Sequence, residues 1–163
     1  MADKRIKVDL KGLEKLVKAL GDQYSIKVGI MGSKSQRTNG SSGKTNAEIG
    51  FLNEFGSAEK HIPARSFLGM PLRTRLVEYL LKKKAFSQEE IDKAVEEGNL
   101  FELAKKVGIV AEELIQDAFG SRGFGEWATN SPYTVQQKGS DSPLIDTGQL
   151  RRSISSKVDK KSK

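Results

Sequence analysis

Ser142-Pro-Leu-Ile-Asp-Thr-Gly-Gln-Leu-Arg-Arg-Ser-Ile154 holds a turn, a short amphipathic segment and an extended exit within thirteen residues. Pro143 has no amide hydrogen to donate and fixes its own φ, so the chain enters extended. Asp146 is placed to cap the amides of a following helical turn, and Gln149, three residues on, to reach back to it. Thr147-Gly148 carries turn chemistry. Leu150 then faces inward and Arg151 and Arg152 outward, and Ser153 to Val158 alternates weakly, as an added strand would. The stretch contains no nucleophile, metal cluster or phosphate loop. It reads as a docking device presented by a scaffold of mixed helix and strand.

The scaffold begins with Ile6-Lys-Val-Asp-Leu10, whose alternation predicts a strand. Leu13, Leu16, Val17 and Leu20 follow at helical spacing, with Gly21 placed to end the helix. Ser25 to Ile30 alternates again, so the opening reads strand–helix–strand. Gly32 to Lys44 has no apolar residue and reads as a mobile loop, because it cannot bury enough surface to offset its ordering entropy. Thr45-Asn-Ala-Glu48 is a capping box for a helix that buries Ile49, Leu52 and Phe55 and stops at Gly56. Pro63 makes the next segment extended. Ser66 is placed to cap a helix from Phe67 to Lys84, with Leu68, Leu72, Leu76 and Leu80 as its stripe. Ser87-Gln-Glu-Glu90 is a second capping box, for a helix to about Glu97. Leu100, Leu103, Val107, Val110, Leu114 and Ala118 predict a third long helix, ended by Gly120. Ser121 to Ser142 reads as a long loop into which Trp127 and Tyr133 dock. The sum is one α+β domain over residues 1–158, a small antiparallel or mixed sheet packed against two to four helices. Mobile loops at 32–44 and 121–142 and a basic tail at 159–163 complete it.

A length of 163 residues suits a single core. Without cysteine, no disulfide framework, thiolate catalyst or cysteine zinc site exists, and the one histidine, His61, excludes a histidine-rich metal site. No signal-like apolar run opens the chain, and no apolar stretch reaches the roughly 18 residues that span a bilayer. The expectation is a protein made in a cytoplasm or assembled into something there, with no membrane partner. A phosphate loop is not met: Thr38 stands where the first glycine belongs, the preceding strand ends near Ile30, and Thr45 is spent as a helix cap. Asp146, Thr147 and Ser153 lack the second histidine or nucleophile elbow that a hydrolase would need. No enzyme and no cofactor is expected.

The net charge, 28 − 21 = +7, is concentrated. From Arg151 to Lys163 six basic residues and one acidic, Asp159, give +5, leaving +2 for the rest. This supports an alternative reading, a small DNA-binding protein acting through its basic C-terminal tail, although interleaved aromatics and a recognition helix are lacking.

Four landmarks stand in one order: Asn46-Ala-Glu-Ile-Gly-Phe-Leu-Asn-Glu-Phe-Gly56, Ile62-Pro-Ala-Arg-Ser-Phe-Leu68, Trp127 with Ser131-Pro-Tyr-Thr134 and Lys138-Gly139, and Pro143-Leu-Ile-Asp-Thr-Gly-Gln-Leu-Arg-Arg-Ser-Ile154. The set resembles the neck and tail-completion proteins of tailed bacteriophages, a group overlapping the virion-morphogenesis family, with Ser66 where that family often has proline. The resemblance covers roughly Ala47 to Ile154. It implies a structural protein of the virion at the head–tail junction, assembled in the host cytoplasm. Such a protein forms an oligomeric ring, six- or twelve-fold, around the DNA channel. Its partners would be further copies of itself, portal or head-completion proteins, tail terminator, tube or sheath proteins, and genome DNA in the lumen. The expected contact residues are Phe55, Gly56, Ile62, Pro63, Ala64, Arg65 and Phe67 on one face and Leu144, Asp146, Thr147, Gly148, Leu150, Arg151 and Arg152 on the other. Phe55 and Phe67 would fill a pocket on the fold or on a neighbouring subunit. Arg65, Arg151 and Arg152 would pair with carboxylates across the interface.

Overall fold

The computed structural model describes residues 7–37 and 43–162. Ile6, residues 38–42 of the predicted mobile loop, and Lys163 lie outside the described residues. In chain order the elements are α1 (Leu10–Gln23), β1 (Tyr24–Ile30), a 3₁₀ turn (Gly32–Ser35), α2 (Asn46–Phe55), α3 (Gly69–Thr74), α4 (Leu76–Lys82), α5 (Gln88–Glu96), α6 (Phe101–Gly120), α7 (Pro132–Lys138), α8 (Gln149–Arg152) and β2 (Ile154–Lys160). The two strands form an antiparallel sheet, so the α+β class holds, with helix at 54% far outweighing strand at 11%. No helix among the described residues is long and apolar enough to cross a membrane.

The chain divides into two compact units, each built from separated segments. One takes the chain through Val28, Thr74–Glu112 and everything from Ser156 onward; the other takes Gly29–Arg73 and Glu113–Ser155.

In the first unit the strand expected over Ile6–Leu10 is not formed by its described residues. Asp9 caps α1 instead: its Oδ1 accepts from the Gly12 amide at 2.7 Å. A side-chain oxygen at this position satisfies an amide that the first helical turn leaves without a partner. The helix therefore starts at Leu10 and runs past Gly21 to Gln23. Leu13, Leu16 and Leu20 line its buried face, which packs on α4 at Tyr79 and Leu80. The Ser87–Glu90 capping box is present, with both reciprocal bonds made, and buries Ile91 behind it. Leu103, Ala104, Val107, Val110 and Ala111 supply the unit's share of the α6 stripe. Strand β2 reaches Lys160, and the Lys161 amide still donates to the Gln23 carbonyl at 2.9 Å. The tail expected to be solvated thus has its backbone paired through Lys161. Hydrogen bonds from Lys157 and Lys27 hold the Asp159 carboxyl below the usual carboxylate range.

In the second unit the Thr45–Glu48 capping box starts α2, and Gly56 ends it at φ 72°. A Cβ there would lie 2.7 Å from the Ala64 amide nitrogen, so the chain can double back only over glycine. The predicted helix over 67–84 is two helices, α3 and α4, with Arg75 between them off the helical dihedrals (φ −127°, ψ −13°). Pro71, fully buried, sits in the first turn of α3, where a missing amide leaves no helical bond unmade. The predicted loop over 121–142 contains α7, and of Trp127 and Tyr133 only Trp127 docks, Tyr133 being 71% exposed. Its serine and proline begin a helix rather than break one, since Ser131 caps it, Pro132 takes the first position and Gly139 closes it left-handed at φ 65°.

Phe67 is 0% exposed, with its ring 5.3 Å from Phe119, which meets Trp127 edge-on at 5.9 Å. Phe67→Ala should therefore cost about 3–5 kcal/mol, as truncation of a buried aromatic does. Urea unfolding measures it; a loss under about 1 kcal/mol would remove Phe67 from the core.

Candidate interface

The landmarks converge in the second unit. Glu54, at the end of α2, accepts four hydrogen bonds from the next landmark: Ser66 Oγ at 2.6 Å and the amides of Phe67, Leu68 and Gly69 at 2.9, 3.0 and 2.8 Å. One carboxylate thereby neutralises the orphan donors at the start of α3, and Ser66 Oγ takes the Met70 amide at 2.8 Å. The Asn53 carbonyl holds the Arg65 amide at 2.6 Å. The third landmark is tied in from both sides. Arg65 donates to the Ala128 and Thr129 carbonyls at 2.8 and 2.9 Å and, at 3.4 Å, to Asn130 Oδ1. Trp127 Nε1 donates to the Ser66 carbonyl at 3.2 Å. The fourth landmark closes on the first, because Gly50 leaves room for both Phe67 and Leu150 against α2.

Several expected contact residues are therefore internal. Phe67, Leu150 and Arg65 are at 0%, 4% and 7% exposure. Among the described residues of the chain the three arginines meet neutral oxygens: Arg65 holds carbonyls, Arg151 Nε donates to Gln116 Oε1 at 2.7 Å, and Arg152 donates to the Thr147 carbonyl at 3.0 Å. Asp146 does not cap α8. Gly148 occupies the cap position in a left-handed conformation, Thr147 Oγ1 accepts from the Gln149 amide at 3.4 Å, and the Asp146 side chain remains 62% exposed. Pro63, Ala64 and Thr147 are exposed, while Gly56, Ile62, Leu144 and Gly148 are half-buried.

Phe55, expected on the buried face of α2, is 66% exposed, and Phe51, which the sequence reading passed over, is 64% exposed. Asn46 and Gly50 occupy the inner face, and Phe55 lies roughly 140° around the helix from Gly50 at 3.6 residues per turn. The signal for Phe51 was its i,i+4 relation to Phe55. Their rings meet at a tilt of 53° with centroids 4.9 Å apart, beside a groove of about 510 Å³ formed with Ile30, Ala47, Leu68 and Arg73.

A second cleft, of about 380 Å³, opens between α2, α7 and the fourth landmark. Arg37, Arg65 and Lys138 line it, with Asp146 as its one carboxylate. Burial pushes the Arg65 guanidinium below its usual range. It pushes the Lys138 ammonium down as well, with Asp146 opposing and Arg65 adding to the effect.

Compared with protein-family models, curated proteins and solved structures, the chain has no match.

Glu54→Gln keeps the shape but presents a donor where four donors already point. It should destabilise the protein by about 1–3 kcal/mol, the cost of leaving part-buried donors unsatisfied. The urea midpoint reads this out, and an unchanged midpoint would mean that water replaces the carboxylate at no cost.

Proposed function

We propose that this chain is a structural protein of the head–tail junction of a tailed bacteriophage, a neck or tail-completion protein acting as a homo-oligomeric ring. The observation that carries this reading is the order of four landmarks resembling that group, together with the use the fold makes of them. All four are bound to one another in a single cluster, and the aromatic pair of the first is left facing out. Large exposed aromatics side by side are uncommon unless something covers them. The contact face we assign is Phe51 and Phe55 with Ile62, Pro63 and Ala64, met by a different face of the next copy, as a closed ring requires. The lumen of such a ring would carry the genome, and its two ends would meet the head-side connector and the tail.

Electron microscopy of the intact particle's neck tests the role directly, and a ring of other proteins at every layer of the junction would remove it. For the contact face, Phe51→Ser/Phe55→Ser should leave monomer stability within about 0.5 kcal/mol, as surface substitutions do, while abolishing the assembled species in sedimentation velocity. Assembly by the double variant would move the interface elsewhere. Tight, steeply salt-dependent DNA binding by the free monomer, lost on removing residues 151–163, would favour the DNA-binding alternative.

A further inference from the structure

The cleft lined by Arg37, Arg65 and Lys138 is short of both negative charge and hydrogen-bond acceptors. Three cations face one carboxylate, 3 − 1 = +2. That carboxylate, Asp146, sits at the rim, 62% exposed and 4.0 Å from Arg37. Arg65, at 7% exposure, has only neutral oxygens as partners among the described residues. A buried guanidinium without a countercharge is costly, and its carbonyl partners compensate only in part. Arg37 has a side chain only 12% exposed. One of its terminal nitrogens makes a long bond of 3.4 Å to Thr147 Oγ1, and its Nε is buried with no acceptor. Asn130 Nδ2, on the same wall, is likewise buried and unsatisfied. Two orphan donors at one cleft are a departure from the near-complete pairing of buried polar groups.

We propose that this cleft binds a phosphate dianion, either free or as a terminal monoester on a nucleic acid. A phosphate dianion carries close to two negative charges, matching the excess of two, and its oxygens supply the missing acceptors. A carboxylate would cancel half the charge with two oxygens. No aromatic side chain among the described residues lines the cleft, so they offer no platform on which a base could stack; the group recognised is the phosphate. The proposal stands on the cleft's own charge and hydrogen bonding and holds whether or not the chain works in a virion.

The test is calorimetric titration of the full chain at low salt with inorganic phosphate, with acetate, and with a short DNA duplex prepared with and without a 5′-phosphate. Amide and arginine Nε resonances are followed in parallel. Arg65 also supports the fold, so the variants are Arg37→Met and Lys138→Met, each checked for an unchanged thermal midpoint. Phosphate should bind one site and shift the Arg37 Nε resonance. Each variant should weaken it about tenfold, the loss expected for one charged hydrogen bond, and acetate should bind at least about tenfold more weakly than phosphate. Duplex that displaces phosphate only when it carries the 5′-phosphate identifies a terminal monoester as the source; duplex that binds without displacing it, or not at all, identifies free phosphate; displacement by the unphosphorylated duplex would overturn the match to a dianion. No phosphate binding at millimolar concentration, equal binding of acetate, or binding unaffected by both variants would overturn the proposal.

Discussion

The carboxylate of Glu54 is the point on which the second unit turns. It lies at the end of one helix and accepts three consecutive amides and a hydroxyl at the start of another. The first amides of a helix have no partner within it, so their acceptors come from outside the helix, here Glu54 and Ser66. Once Glu54 fixes that turn, the Ser66 carbonyl is aimed at Trp127 and Phe67 is delivered beside Phe119. Arg65, one residue before the turn, is pulled inward with it and holds the Ala128 and Thr129 carbonyls. The extended segment Ile62–Leu68 is thus bound on one side by a carboxylate and on the other by carbonyls, a division of labour that places a cation and an anion inside one small unit without pairing them.

How much of this was legible depended on whether the cause was local. Both capping boxes were readable because four residues determine each, and both start helices where the sequence put them. The long α6 was readable from its stripe. Asp9 was misread because a capping residue between apolar neighbours mimics strand alternation. Ser131-Pro132 was misread because proline breaks a helix in its interior yet favours one at its start. The break at Arg75 was invisible to a regular leucine spacing.

Around the candidate interface, exposure does not follow the pattern that local spacing suggests. Phe55 and Phe67 both follow polar residues near turns, yet one is exposed and the other is fully buried. What separates them is a contact of distant origin: Gly50 opens space on one side of α2, and Phe67 and Leu150 take it. The side chain that fills such a space comes from another part of the chain, so local periodicity cannot name it. Arg65 was anticipated as a partner for acids. Its actual partners, carbonyls more than sixty positions away, follow from tertiary closure alone. The acceptor-poor cleft likewise draws on Arg37, Arg65 and Lys138, which no spacing rule connects.

The segmental make-up of the two units sets an order of completion. Every piece of the second unit lies before residue 156, whereas the first unit includes Ser156 and the residues after it. Glu54, Ser66, Trp127 and Leu150 all precede the segment that completes the first unit, so the second unit needs nothing after Ser155 to close. The earlier-begun unit is the later one finished, and until then β1 presents an unpaired edge of the kind that invites pairing with another chain. Six basic residues and one acidic follow residue 150, and an excess of like charge in the segment that holds β2 opposes edge-to-edge approach of two copies.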